Sequence, residues 1–242
     1  MSPLLTLDNV GRDFQVGREI IRVIDGLSLE LLPGDSLALT GPSGSGKSVL
    51  LNLIGLLDTP NRGAVLLAGR NTAVLVDDER TYLRNRRIGF VFQHPRMIGR
   101  LSLVDNVALP LRYRGIDART ADREARGQLE RVGLLERADH PPRDLSGGQL
   151  QLAGLARALV GKPDLILADE PATSLDADSA GRVSTLLQEL NRSAEVTLVL
   201  ATHDAAQASK LARQLRLQTA LPVLSHATRM DPSPEKDPVR IA

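Results

Sequence analysis

Over the first forty residues apolar and polar positions alternate in short runs. LLTLDNV (4–10), EIIRVI (19–24), LSLELL (27–32) and SLALT (36–40) read as strands, separated by Gly, Pro and Asp turn signals. Short strands with tight connections predict an antiparallel β subdomain at the N-terminus. The period then changes. A helix is expected from about Gly46 to Leu57, a strand near 64–68 and another at IGFVF, 88–92. From about 94 to 160 the strand signal fades and helical spacing replaces it, most clearly at 118–132 and 147–160. Beyond that, DLILAD (164–169), ADSAGRVSTLLQEL (177–190), VTLVLAT (196–202) and DAAQASKLARQL (204–215) alternate strand, helix, strand, helix. This order predicts an α/β fold, a parallel sheet covered by helices, with a helical subdomain inserted at about 94–160. The organised part is expected to span 1–224, and 225–242 to be a loose tail.

Composition narrows the classes. The chain has 242 residues, enough for one large domain or for a core with an insertion. Aromatic residues make up only 2%, so the core must come from Leu, Val, Ile and Ala, and recognition of bases on aromatic platforms is disfavoured. The formal net charge is +1, which supplies no overall basic field, and no nucleic-acid partner is expected. The absence of cysteine excludes disulfides, thiolate metal sites and cysteine nucleophiles, and fits a reducing compartment. The N-terminus MSPLLTLDNV does not read as a signal peptide, and no apolar run approaches the roughly 18–20 residues of a membrane span. Attachment to a membrane would require a partner.

The chemistry starts at GPSGSGKS, 41–48. It fits the phosphate-loop template G-x-x-x-x-G-K-[ST] in full, follows the strand SLALT and opens a helix. Gly41, Pro42, Ser43, Gly44, Ser45 and Gly46 would let backbone N–H groups approach phosphate oxygens, with Val49 on the following helix. Lys47, one of only four lysines in the chain, would reach the β- and γ-phosphates, and the Ser48 hydroxyl would sit on Mg²⁺. LILADEP, 165–171, supplies the second half. Asp169 emerges at the C-terminal end of a buried strand, where ligands of open α/β sheets bind, and would hold Mg²⁺. Glu170 is placed to polarise an attacking water. These two segments describe a P-loop nucleoside triphosphatase.

A second glycine turn, LSGGQ at 145–149, opens the helix at 147–160. Two anion-binding helix ends per chain match one nucleotide per chain if Ser146, Gly147 and Gly148 serve the nucleotide of a second subunit. That arrangement is a head-to-tail homodimer with two ATP molecules sandwiched between the chains.

LSGGQ between a complete phosphate loop and the LILADEP strand resembles the signature of ABC ATPases, and the likeness runs over about 4–217. The resemblance implies ATP and Mg²⁺ as ligands and assigns further positions. Gln93, in FVFQ, matches the glutamine that senses Mg²⁺ and water and links the core to the helical subdomain. His203, in LATHD, matches the histidine that contacts the γ-phosphate. Asp176, in TSLDADS, matches the loop that crosses the dimer interface, and Gln149 closes the signature. Phe14, in GRDFQVG, falls where the family places an aromatic residue against adenine. LRNRRIGFVFQ, VDNVALPLRYRG and ADEPATSLD resemble the branch serving lipoprotein release and macrolide export. The resemblance therefore implies an ATP-hydrolysing subunit at the cytoplasmic face of the inner membrane, held there by integral membrane permease subunits. Met97, Ile98, Leu101 and Leu103, after Gln93, are the candidates for an apolar surface that receives a permease helix.

The chain also departs from the family. Leu152 stands where an arginine usually follows the signature, Ala172 replaces the threonine common after DEP, and RLQTALPVL lacks an Asp-Gly turn. Two alternatives stay open at this point. One is an ABC ATPase unconnected to transport, which co-fractionation with membranes would separate. The other is a regulatory subunit that holds ATP with little turnover, which phosphate release would separate.

Overall fold

The computed structural model describes residues 2–193, 196–218 and 221–223. The expected tail and its boundary at 224 lie outside them.

An antiparallel sheet forms first. β1 (Leu5–Val16) pairs with β2 (Glu19–Leu31) and with β4 (Arg62–Leu67), and β5 (Arg70–Asn71) and β10 (Leu221–Val223) extend the edges to give β10-β2-β1-β4-β5. EIIRVI and LSLELL are one strand rather than two. The intervening Asp25–Gly26 is part of an irregular stretch of β2, where Gly26 (φ 61°) faces Asn9 (φ 49°) of β1 and the register shifts. Such a bulge bends the ribbon without ending it.

The second sheet is parallel, in the order β6-β7-β8-β3-β9: Ile88–Val91, Leu165–Asp169, Thr197–Ala201, Ser36–Thr40 and Arg213–Arg216. LILA of β7 and TLVLA of β8 are buried throughout, as strands covered on both faces must be. α1 (Lys47–Ile54) lies between the two sheets and shares a core with them through Leu50, Leu53 and Ile54. It ends before Leu57 because Gly55 caps it and Leu56 turns left-handed at φ 57°. Between β6 and β7 run α3 (Leu103–Tyr113), α4 (Ala118–Arg131) and α5 (Gly147–Leu159). They pack, with α6 (Ala177–Arg192), into a second core around Val107, Leu129 and Leu155.

Two further segments differ from the sequence reading. α2 (Asp77–Arg87) carries only one buried side chain, Leu83, so it has almost no apolar stripe to betray it. Its ends are charged in the sense the helix dipole favours, with Asp77, Asp78 and Glu79 first and Arg84, Arg86 and Arg87 last. DAAQASKLARQL is mostly not helix. Only α7 (Ala205–Ala208) forms, and β9 follows as a parallel edge strand on β3. The Ser36 hydroxyl accepts from Ala212 N–H at 3.0 Å, and the Arg213 guanidinium donates to Glu30 O at 2.6 Å. These long-range bonds outweigh a local helical pattern.

Candidate functional site

β3 runs straight into the phosphate loop. Gly41, Gly44 and Gly46 take φ of 147°, 77° and 93°, which only glycine adopts without strain. At Gly46 a Cβ would also approach Val23 Cγ1 to 2.7 Å, so β2 closes tightly over the loop. Lys47, at the start of α1, is buried, and its Nζ donates to Gly41 O at 2.9 Å and Pro42 O at 3.1 Å. The ammonium is thus held inside the loop by the backbone. The Ser45 hydroxyl is buried there without a partner.

β7 delivers the acids. Asp169 Oδ2 accepts from the Ser48 hydroxyl at 2.7 Å. Burial pushes the Asp169 carboxyl above its usual range, against the Ser48 hydrogen bond, with Glu170 adding to the rise and Lys47 opposing it. Glu170 then takes the left-handed conformation at φ 46°, and its N–H donates to Ala201 O at 2.9 Å. A non-glycine residue in that region costs on the order of 1 kcal/mol or more and persists only where its surroundings impose it. The Thr173 hydroxyl donates to Glu170 Oε2 at 2.7 Å, and His203 Nδ1 lies 2.6 Å from the same oxygen. Lys47 Nζ is 4.0 Å from Glu170 Oε1.

These groups line one cleft of about 770 Å³, bounded by Phe14, Val23, Ser43, Gly44, Gly46, Lys47, Ser48, Val49, Gln93, Asp169, Glu170, Thr173 and His203. Phe14 closes the end nearest β1, with the Arg12 guanidinium 4.7 Å from its ring centroid. Gln93 follows β6. The amide of Gln151 on α5 donates to the carbonyl of neighbouring Phe92 at 2.8 Å, tying the helical layer to this wall.

Ser146, Gly147, Gly148, Gln149 and Asp176 do not line that cleft. Ser146 and Gln149 cap α5 reciprocally, side chain to backbone, at 3.3 and 2.9 Å. Asp176 caps α6 by accepting from Ser179 N–H at 2.9 Å. Gly148 is pressed against that cap, where a Cβ would meet Ser179 Oγ at 2.3 Å, whereas nothing lies within 4 Å of a Cβ at Gly147. The first turn of α5 therefore presents an open glycine, Gly147, outside the cleft of its own phosphate loop.

A family model described as ABC transporter matches residues 24–173, more than half of the chain. The chain belongs to that family. Among curated relatives, the lipoprotein-releasing system ATP-binding protein LolD of Pseudomonas syringae pv. tomato is 42% identical over 219 residues, which cover 89% of this chain and 95% of the relative. The macrolide export ATP-binding/permease protein MacB of Chlorobium luteolum is 41% identical over 222 residues, 92% of this chain but only 33% of MacB. Among solved structures, the ATP-binding cassette MJ0796, determined as a dimer in a post-hydrolysis state bound to ADP and Pi, is 36% identical. It superposes with a TM-score of 0.83 over 90% of this chain and 97% of its own. The chain is thus an ABC-type ATPase.

In this ABC cassette two of the departures, Leu152 and Ala172, sit outside the cleft, and RLQTALPVL lies partly outside the described residues. Leu152 is buried in the helical core and Ala172 is buried beside the turn after β7. Neither leaves an unpaired charge. Three cleft features were not legible as motifs: Val23 over Gly46, Thr173 on Glu170 and Arg12 behind Phe14. Thr173 had a signal, since it stands three residues after Glu170 on a tight turn, within reach of that carboxylate.

Proposed function

We propose that this ABC cassette hydrolyses ATP as a head-to-tail homodimer and drives a separate integral membrane permease of the lipoprotein-release or macrolide-export type. The observation that carries the reading is the separation of the two glycine turns. The hydrolytic groups converge on one cleft, while the open glycine of α5 lies outside it and needs the cleft of a second chain. Among the described residues no helix is long and apolar enough to cross a membrane. The permease then holds the cassette at the cytoplasmic face of the inner membrane.

The roles follow from the geometry. The Phe14 ring receives adenine, and the N–H groups of 43–48 with Lys47 receive the phosphates. Lys47 exchanges its two carbonyl partners for phosphate oxygens, which leaves Glu170 free of its nearest cation. The Ser48 hydroxyl and the half-buried Asp169 carboxylate are hard oxygen donors side by side at the loop, suited to Mg²⁺, with the Gln93 amide on the facing wall. When bound there, Mg²⁺ supplies neutralisation of phosphate charge. Glu170 meets the Thr173 hydroxyl and the His203 ring at Oε2 and has Oε1 left to orient and deprotonate water. His203 stands where it can turn from Glu170 to the γ-phosphate. Ser146, Gly147, Gly148 and Gln149 of the second chain, with Asp176 at the interface, close over the far side of that phosphate.

A permease helix needs an apolar seat. Of the four candidates after Gln93, Leu103 is fully buried, Ile98 is exposed, and Met97 and Leu101 are half-buried, Met97 with one side against the helical core. A second groove, of about 690 Å³, is walled by Leu57, Tyr82, Phe90, Phe92, Pro110 and Tyr113. Tyr82 and Tyr113 are strongly exposed there. An amphipathic helix fits such a groove, and Phe92 connects it to Gln93 in the cleft. Purification of the cassette from a membrane extract, with identification of the co-purifying chain and assay of phosphate release, tests the reading. A multi-spanning partner and ATP-dependent phosphate release are expected. A cassette that stays free of membrane chains would contradict it.

A further inference from the structure

Behind Phe14 stands a side chain that the hydrolytic mechanism does not use. The Arg12 guanidinium lies over the Phe14 ring, 4.7 Å from its centroid, and does not itself line the cleft. Its Nη2 is 2.9 Å from Asp58 Oδ1, and its Nη1 donates to Asn61 Oδ1 at 3.2 Å. Asn61 Oδ1 also accepts from Asp13 N–H at 2.8 Å, and Asn61 N–H donates to Gly11 O at 2.8 Å. Asp58 is in turn fixed to the end of α1, its N–H donating to Asn52 O at 3.2 Å. α1 begins with Lys47 and Ser48. A continuous chain of contacts therefore runs from the phosphate end of the cleft, along α1, through Asp58 and Arg12, to the back of the Phe14 ring.

That chain has a reason to exist. On both sides of Arg12 the β1–β2 register is broken, between Val10 and Arg12 and again between Arg12 and Asp13. Phe14 itself pairs with Ile21, but the two shifts separate its hairpin tip from the rest of the strand, so the ladder alone does not fix the height of the ring above α1. Phe14 is 36% exposed, so packing does not hold it either. The Arg12 fork, one Nη on Asp58 and the other on Asn61, supplies the missing constraint, and its flat cation over one ring face leaves the other face to the cleft.

We propose that Arg12 is a positioning residue for the nucleotide base. Its guanidinium backs the Phe14 ring and sets the spacing between that ring and the phosphate loop to the span of a purine nucleoside triphosphate. The inference rests on the reading that Phe14 receives the base.

The test is a double-mutant cycle on the full chain, with Arg12→Gln, Phe14→Ala and the pair, read as binding of MgATP and of inorganic tripolyphosphate. Tripolyphosphate fills the loop but carries no base, and it also reports whether each variant folds. Arg12→Gln is expected to weaken MgATP roughly two- to fivefold, the range of a cation–ring contact, and to leave tripolyphosphate unchanged. In the Phe14→Ala background the same change is expected to do nothing further. Equal weakening of both ligands by Arg12→Gln, full additivity with Phe14→Ala, or no effect on MgATP would overturn the role of Arg12 while leaving the base site standing. If Phe14→Ala itself leaves MgATP binding unchanged, the base-site reading fails and the inference fails with it.

Discussion

His203 Nδ1 lies 2.6 Å from Glu170 Oε2, so the carboxylate proposed to activate water is met by a group from the end of β8. The pair joins neighbouring parallel strands across the mouth of the cleft. Replacing Glu170 by Gln keeps the shape and the hydrogen bonding of the site but removes the base. ATP binding is expected to persist, hydrolysis to fall by roughly 10²–10⁴ and an ATP-bound dimer to accumulate. Nucleotide binding and phosphate release on the same preparation check this, and unchanged turnover would remove Glu170 from the mechanism.

Thr173 donates its hydroxyl to the same oxygen at 2.7 Å. Thr173→Val keeps the branched shape and deletes that donor. One hydrogen bond to a charged acceptor corresponds to about 1.5–3 kcal/mol, so kcat is expected to drop by roughly ten- to a hundredfold with little change in ATP affinity. Loss of affinity without loss of kcat would show that Thr173 supports the binding of nucleotide and not the orientation of Glu170.

Tyr82 and Tyr113 rim the groove beside Phe92 and touch neither the phosphate loop nor Glu170. Tyr82→Glu and Tyr113→Glu place carboxylates on an apolar seat. Association with the permease is expected to weaken at least tenfold, while ATPase activity of the isolated cassette stays. Retained association in the double variant would move the docking surface elsewhere.

Asp105, in the first turn of α3, accepts from the Ser102 hydroxyl and the Arg112 guanidinium, each at 2.6 Å. The Ser102 bond first, and Arg112 with it, hold the carboxyl below 3.8, against burial. A depressed folded-state value means stability that is present above the unfolded value and is lost as pH falls through the folded one. Asp105→Asn is expected to lower Tm by roughly 1–3 °C at pH 7, and the difference from the parent chain is expected to shrink below pH 4. A difference that grows on acidification would reverse the sign of the argument.

The phosphate loop, β7 and its two acids were legible because their residues dictate local backbone: three glycines at positive φ, then a lysine and a serine opening a helix, and a fully apolar strand ending in Asp169. The ring of partners around Glu170 was only half legible. His203 stood out beside a strand end, but the contact depends on β7 and β8 being neighbours, a long-range fact. β9 was hidden for the same reason, since its pairing with β3 is set by Ser36, Glu30 and Asp35 far upstream. α2 gave no periodic signal because a helix with one buried side chain has no stripe. Of Met97, Ile98, Leu101 and Leu103, only Leu103 packs fully inward, a division that a hydrophobic pattern alone does not make.

The shared site is the central claim, and complementation reads it directly. Lys47→Ala removes the cation of the phosphate loop. Gly147→Asp puts a carboxylate on the open first turn of α5, where nothing in its own chain lies within 4 Å of the new Cβ, so the fold is expected to survive. Each homodimer then carries two damaged sites and is expected to be nearly inactive. A mixed head-to-tail dimer gathers both lesions in one site and leaves the other with an intact loop and an intact signature. The decisive measurement is phosphate release from a mixture of the two inactive proteins in which heterodimers have been demonstrated. The shared-site account expects hydrolysis to reappear, approaching half the parent rate per heterodimer where the two sites fire independently. Continued silence of the heterodimer would contradict it.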